Sequence, residues 1–162
     1  MLHGYDDQGS QFDAQGNNAN WWTDADMKAF QARTGKLVAQ FNDYVGIDDI
    51  KVKGDMTLGE NIADLGGLTV AHDALKRDPA YQAAGEIDGL TQDQRFFLNW
   101  ATVWRRNYTP EEMKVRLNTD YHSPGMWRAN GAPSNMPAFA QAFSCKEGDA
   151  MVRAADKQVV IW

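Results

Sequence analysis

Cysteine is almost missing from this chain: Cys145 is the only one. A single thiol cannot close an intrachain disulfide, so packing and hydrogen bonds must hold the fold. Such usage fits a cytosolic chain, a bacterial periplasmic one, or a part whose cysteine partner lies elsewhere. Long hydrophobic runs are missing too. No stretch approaches the ~20 apolar residues of a membrane span, and Met1-Leu2 leads straight into polar sequence with no signal-peptide pattern. Basic clusters are absent as well. Lys and Arg number 16 against 22 Asp and Glu, they are scattered, and the net charge of −6 argues against nucleic acid as a partner. There is no internal repeat and no low-complexity segment.

What is present is enough apolar material for one domain of 162 residues: 43% of the chain, with six Trp, seven Phe and five Tyr. Residues 1–20 read as short elements and turns, and "FDAQGNN" is a turn signal because Asp and Asn bond their own backbone. The clearest helix spans 23–44: Thr23 or Asp24 caps it, and Met27, Phe30, Leu37, Val38, Phe41 and Tyr44 form one stripe. Residues 46–57 alternate Ile and Val between glycines and read as a short strand or extended loop. A second helix is expected over 57–78, with Leu58, Ile62, Leu65, Leu68 and Leu75 on its apolar side and a neighbour packed closely at Gly66-Gly67. A loop or short helix follows at 78–89, then a helix over 90–108 capped by Thr91, and one opened by "TPEE" at 109. Residues 121–139 read as a Pro/Gly-rich loop, 136–143 as a short helix, and the chain ends "QVVIW". The expected class is mainly α, with long ordered loops and little strand.

Chemistry is suggested first by "GENIAD". Glu60 and Asp64 stand at i and i+4, on one face of a helix. Two neighbouring carboxylates repel unless a cation or a metal-bound histidine lies nearby, although such a pair alone is most simply a solvated face. The opening "MLHGYDDQG" adds a histidine. Met1-Leu2-His3 would be the last three positions of a His-Glu-x-x-His helix, which puts two imidazoles on one face with a general base between them. A glutamate on a second helix is a known third zinc ligand, and Glu60 is such a residue.

Taken in order, "HGYDDQGSQFDAQGN", "WWT", "GENIADLGG", "DGLTQDQRFFLNWATVWR", "TDYHSPGMWRANG", "SNMPAFAQAF", "CKEGDAM" and the terminal Trp162 resemble the neprilysin-like zinc metallopeptidases over essentially the whole chain. The resemblance implies the C-terminal portion, residues 1–162, of a thermolysin-like (zincin) catalytic domain. The first zinc histidine, the catalytic glutamate, a substrate-holding strand and a large N-terminal domain would all lie outside it. It implies that His3 and Glu60 are zinc ligands, and that Asp64 and Asp6 are carboxylates behind the ligands, Asp64 orienting a zinc histidine. His122 would stabilise the oxyanion of the tetrahedral intermediate, and Arg128 would bind a substrate carbonyl on the primed side.

The activity implied is hydrolysis of short peptides, generally on the amino side of hydrophobic residues, with one zinc ion in the intact enzyme. Without base and third ligand the isolated chain is expected to be inactive. The alternatives are one chain of a two-chain peptidase and a non-catalytic peptide-binding module. The expected partners are a peptide substrate, the missing N-terminal part, and a second copy through exposed apolar surface. The family cysteine matching Cys145 pairs with the N-terminal domain in animal members. "QVVIW", which lacks their near-terminal cysteine, points to a bacterial relative. An exported parent, periplasmic or membrane-anchored, is expected, with a cytoplasmic one left open. His72 is read as structural. Trp21, Trp22, Trp100, Trp104 and Trp127 are expected to form core or cleft wall, and Arg105 and Arg106 to make ion pairs.

Overall fold

The computed structural model describes residues 2–161; Met1, the first position of the expected partial zinc motif, and the terminal Trp162 lie outside the described residues. Two 3₁₀ turns, Leu2–Tyr5 and Gly9–Gln11, open the chain. The turn read at "FDAQGNN" forms around Asp13, whose Oδ1 accepts the backbone N–H groups of Gln15 (2.9 Å) and Asn17 (2.8 Å).

Helix α1 runs Asp24–Asn42, started by a reciprocal capping box between Thr23 and Asp26. A hairpin follows: β1, Val45–Ile47, pairs antiparallel with β2, Ile50–Lys51, and Asp48 turns it at φ 50°. It is the only sheet among the described residues. Then come α2 (Leu58–Arg77), α3 (Pro79–Ala83) and α4 (Gln92–Val103). Thr91 and Gln94 form the capping box of α4. Helices α5 (Pro110–Thr119), α6 (Gly125–Gly131) and α7 (Pro137–Ala142) complete the set, with a 3₁₀ turn, Pro133–Asn135, between the last two. The result is mainly α, as expected. Among the described residues no helix is long and apolar enough to cross a membrane.

Helix α2 is the axis of the molecule, contacting the opening 3₁₀ turn, α1, α3 and α6. Around it the core gathers Phe30, Leu37 and Phe41 from α1, Ile62, Leu65 and Leu68 from α2, Phe97, Leu117 and Met136, and Val159 and Ile161 of the extended tail. Each such side chain contributes roughly 1.5–3 kcal/mol by leaving water.

Three expectations are corrected. The segment 121–139 is not a loop, because it holds α6 and a 3₁₀ turn. Pro124 stands at the N-cap, its carbonyl accepts the N–H of Trp127 (2.8 Å) and Arg128 (3.1 Å), and the small residues Gly125 and Gly131 are buried. Tertiary packing overrides weak helix propensity there. The helix expected over 90–108 stops at Val103. Arg105 and Arg106 make no ion pair among the described residues; the Arg106 guanidinium lies 5.3 Å from the centre of the Trp104 ring instead.

The inward face of α1 also carries a polar residue that an apolar stripe cannot reveal. Gln40 is 1% exposed. Its Nε2 donates to the carbonyl of Gly131 (3.0 Å), and its Oε1 accepts from Asn135 Nδ2 (2.8 Å). Asn135 Oδ1 in turn accepts the N–H of Val159 (3.0 Å). This buried amide pair fastens α1, the end of α6 and the tail together, and every member has its partner.

Candidate active site

Glu60 sits in the first turn of α2, where the helix dipole favours a carboxylate. The residue before it must be small. A Cβ on Gly59 would lie 2.9 Å from Asp7 Oδ1 and 3.2 Å from Asp6 Oδ2. Glycine there lets the opening 3₁₀ turn press against the start of α2, which brings His3 to Glu60. His3 Nε2 is 3.4 Å from Glu60 Oε1, and its Nδ1 is 2.8 Å from Asp6 Oδ2. Asp6 is held in turn, its Oδ1 accepting the N–H groups of Gln8 (2.9 Å) and Gly9 (3.1 Å). A proton on Nδ1, donated to Asp6, leaves the Nε2 lone pair directed at the Glu60 side.

His122 approaches the same carboxylate from the other side, Nε2 standing 3.3 Å from Glu60 Oε2. A single oxygen of Asp120 accepts the backbone N–H of His122 (2.9 Å) and lies 2.8 Å from its Nδ1. Asp120 Oδ2 receives Arg116 Nη1 at 2.7 Å. Burial pushes the Asp120 carboxyl up, but the hydrogen bonds from His122 and Arg116 outweigh it and hold the group below the usual aspartate value. His122 is therefore gripped at its backbone and at one ring nitrogen, with the other nitrogen turned toward Glu60.

Arg128, on α6, closes the cluster. Its Nε and Nη2 make parallel bonds to Asp64 Oδ2 and Oδ1, both 2.6 Å, and Nη2 reaches Glu60 Oε2 at 3.3 Å. The guanidinium lies 3.9 Å from the centre of the Trp104 ring. Fork, carboxylate and aromatic face fix it as a rigid group. Nη1 has no partner among the described residues, and Arg128 borders a cavity of about 390 Å³ shared with His122 and Trp104. Burial raises the Asp64 carboxyl above its ordinary value, with Glu60 adding to it, while Arg128 pulls the other way. Gly125 permits this packing, since a Cβ there would stand 2.6 Å from the carbonyl oxygen of Trp104. A second cavity, about 1000 Å³, is lined by Glu60 together with His3, Tyr5, Phe12 and Trp21.

Fit to zinc can be judged from the donors. Two ligand atoms each ~2.0–2.1 Å from a tetrahedral zinc stand about 3.3 Å apart. His3 Nε2 and Glu60 Oε1, at 3.4 Å, suit that spacing. Among the described residues no set of three or more His, Cys, Asp or Glu side chains is arranged to hold a metal ion, so this is a pair of donors.

All six residues expected at a site thus fall in one place. Asp64 makes its short contacts to Arg128. His72 lies elsewhere, its Nε2 2.6 Å from Asp93 Oδ1 and its ring stacked on Phe97. Trp104 is the floor under Arg128, Trp21 a cavity wall, and Trp22, Trp100 and Trp127 pack on the core. Cys145 is half-buried with a free thiol. Sequence reasoning missed Asp120, although an aspartate two residues before a histidine is the Asx-turn spacing that would have found it. It also missed Asn61 and Ser123, which nothing local could pair across 62 positions.

Comparison with known proteins places the chain among peptidases. The model of "Peptidase family M13" matches residues 1–159. Endothelin-converting enzyme 1 of Bos taurus is 40% identical over 155 residues, 93% of this chain and 20% of that protein. The neutral endopeptidase of Lactococcus lactis subsp. cremoris is 36% identical over 162 residues, 100% of this chain and 24% of its own length. The solved Mycobacterium tuberculosis zinc metalloprotease Zmp1, in complex with an inhibitor, superposes with a TM-score of 0.89 and 42% identity, covering 99% of this chain and 25% of that one. The chain therefore spans about a fifth to a quarter of the length of the relatives it matches.

Proposed function

The chain belongs to peptidase family M13, and from that premise we propose that residues 1–162 are the C-terminal part of a zinc metallopeptidase catalytic domain acting on short peptides. The observation that carries this reading is the convergence of His3, His122 and Arg128 on one carboxylate, Glu60, at 3.3–3.4 Å from three separate segments.

His3 and Glu60 would hold the ion, with a further protein ligand and the general base supplied from outside these 162 residues. Bound zinc supplies Lewis acidity, polarising a carbonyl and making water a nucleophile at neutral pH. The chain's own residues supply the rest. Asp6 keeps the proton on His3 Nδ1, so that Nε2 remains a ligand atom. His122, with Nδ1–H held by Asp120 and a second proton on Nε2, donates that Nε2–H to the oxygen on which charge develops, a contact that strengthens as the reaction proceeds. Arg128 is held by Asp64 and Trp104 and offers Nη1 to a substrate carbonyl, fixing the peptide beside the reacting bond. The two cavities then receive the peptide on either side of that bond.

The test is Glu60→Gln in an active peptidase that contains these residues, reading bound zinc and hydrolysis of a short hydrophobic peptide. Loss of zinc together with at least a ~100-fold fall in kcat/KM is expected, about 2.7 kcal/mol of transition-state stabilisation. Full zinc content with unchanged hydrolysis would overturn the proposal.

A further inference from the structure

The site is assembled from two pieces far apart in sequence, the start of α2 and the segment before α6. Each site residue has a neighbour that points into the interior instead: Asn61 beside Glu60, and Ser123 beside His122. These two neighbours bond each other. Ser123 Oγ donates to Asn61 Oδ1 at 2.8 Å, Asn61 Nδ2 donates to Thr57 Oγ1 at 2.9 Å, and Thr57 Oγ1 donates to the carbonyl of Lys53 at 3.1 Å. Every donor in this row points the same way, so each hydroxyl proton and the amide have one consistent use. Ser123 is 3% exposed, and Asn61 and Thr57 are each 2% exposed. Water cannot substitute in so closed a place, and breaking one link strands a buried polar group.

We infer that Ser123 and Asn61 are positioning residues that set the register between Glu60 and His122. The physical reason is leverage. The backbone of residue 123 is fixed to α2 one residue from His122, and that of residue 61 one residue from Glu60, so the 2.8 Å bond limits how far the two site residues can drift. Asp120 orients the His122 ring but belongs to the same segment, so it cannot fix the distance to α2. Arg128 spans the two pieces through Asp64, from the far side of the cluster. The Ser123–Asn61 bond is the tie beside His122 itself. It touches no reacting atom and none of the proposed zinc ligands. A misplacement of about 1 Å in a group that must meet a developing charge costs roughly 100-fold in rate, so a short rigid tie there has functional consequence.

The inference rests on the proposed role of His122, and the experiment separates the two. In an active peptidase that contains these residues, kcat, KM and bound zinc are measured for Ser123→Ala, Ser123→Thr, His122→Gln and the double variant His122→Gln/Ser123→Ala. The expected result for Ser123→Ala is a fall in kcat of about tenfold, with KM and zinc content within twofold of the parent, since the Ser123 side chain bonds Asn61 and touches neither proposed zinc ligand, His3 or Glu60. Ser123→Thr keeps the hydroxyl and recovers most of the loss. In the His122→Gln background Ser123→Ala changes kcat less than about twofold, because the group it positions is gone. The same tenfold loss in both backgrounds, or no loss in the parent, would overturn the positioning role. If His122→Gln itself leaves kcat unchanged, the reading of His122 falls, and this inference with it. Poor folding of Ser123→Ala would appear as lost zinc and a lowered melting temperature, and Asn61→Ser, which keeps a hydroxyl acceptor on α2, then repeats the same cycle with the same criteria.

Discussion

His72 and the His3–Glu60–His122 cluster show the same chemistry, imidazole beside carboxylate, in opposite surroundings. The His72 side chain is 7% exposed, its Nε2 lies 2.6 Å from Asp93, and Phe96 and Phe97 pack on its ring. His3 and His122 are 56% and 51% exposed, and their Nε2 atoms stay 3.4 and 3.3 Å from Glu60. Only at their far nitrogens, toward Asp6 and Asp120, do they make contacts of 2.8 Å. In the His72 pair the ring is enclosed and its short bond points straight at the carboxylate. The exposed cluster is fixed from behind and left open in front, which is how a site that must accept something else is built. Burial and the direction of the short bond separate His72 from the two histidines proposed for the site.

The difference can be broken from either side. The largest stability effect belongs to the closed pair. His72→Ala removes a buried ring and its charge-assisted bond, and should cost about 2–4 kcal/mol in denaturant unfolding, while in an active peptidase that contains these residues zinc affinity and peptide hydrolysis should stay unchanged. A zinc defect in that variant would mean that the two regions are not independent. Asp6→Asn works the other way. It leaves a side chain that still accepts the Gln8 and Gly9 amides but removes the charge behind His3, so zinc affinity should fall about 10–100-fold in competition with a chelator. Its unfolding free energy should move less than about 1 kcal/mol.

Arg128→Lys comes next. It keeps the charge but loses the two-pronged grip on Asp64 and the flat contact on Trp104, for an expected 1–2 kcal/mol, roughly, in unfolding and a raised KM for peptide. The smallest effect is in pH. Asp93 is pushed up by burial, but the hydrogen bonds from His72 and Tyr81 outweigh that and hold its pKa below the ordinary value. Its stabilisation is therefore present above about pH 3.9, the unfolded aspartate value. It is lost as pH falls through the folded value. For a partly exposed pair it amounts to less than about 1 kcal/mol, and an acid titration of stability in His72→Phe should show it reduced to what Tyr81 and Lys76 supply.

The legible parts of the fold were those with local causes. Thr23 and Asp26, Thr91 and Gln94, and Thr109 followed by Pro110 are start signals that act within one turn, and all three helices begin where these residues stand. Helix α6 was illegible because its prolines and glycines argue for a loop, and only the fit of Gly125 under Trp104 and Gly131 against Phe41 makes it helical. Gln40 was illegible for a similar reason, because a glutamine on a helix reads as solvent-facing until its partners 91 and 95 residues away are known.

The sequence by itself determined which chemistry was available. The six candidate site residues were named by the family resemblance that the ordered motifs carry, and the residues alone gave the shared face of Glu60 and Asp64. That information is covalent, since i+3 and i+4 offsets on a helix or tight turn translate directly into shared faces. Only the tertiary structure decided which of these residues meet. Glu60 lies 57 residues from His3, 62 from His122 and 68 from Arg128. Contacts over such separations depend on how α2 packs against the opening turn and α6. That packing is set by partners such as the half-buried Gly59 and the buried Gly125, Asn61 and Ser123, whose roles exist only once the chain has closed around them.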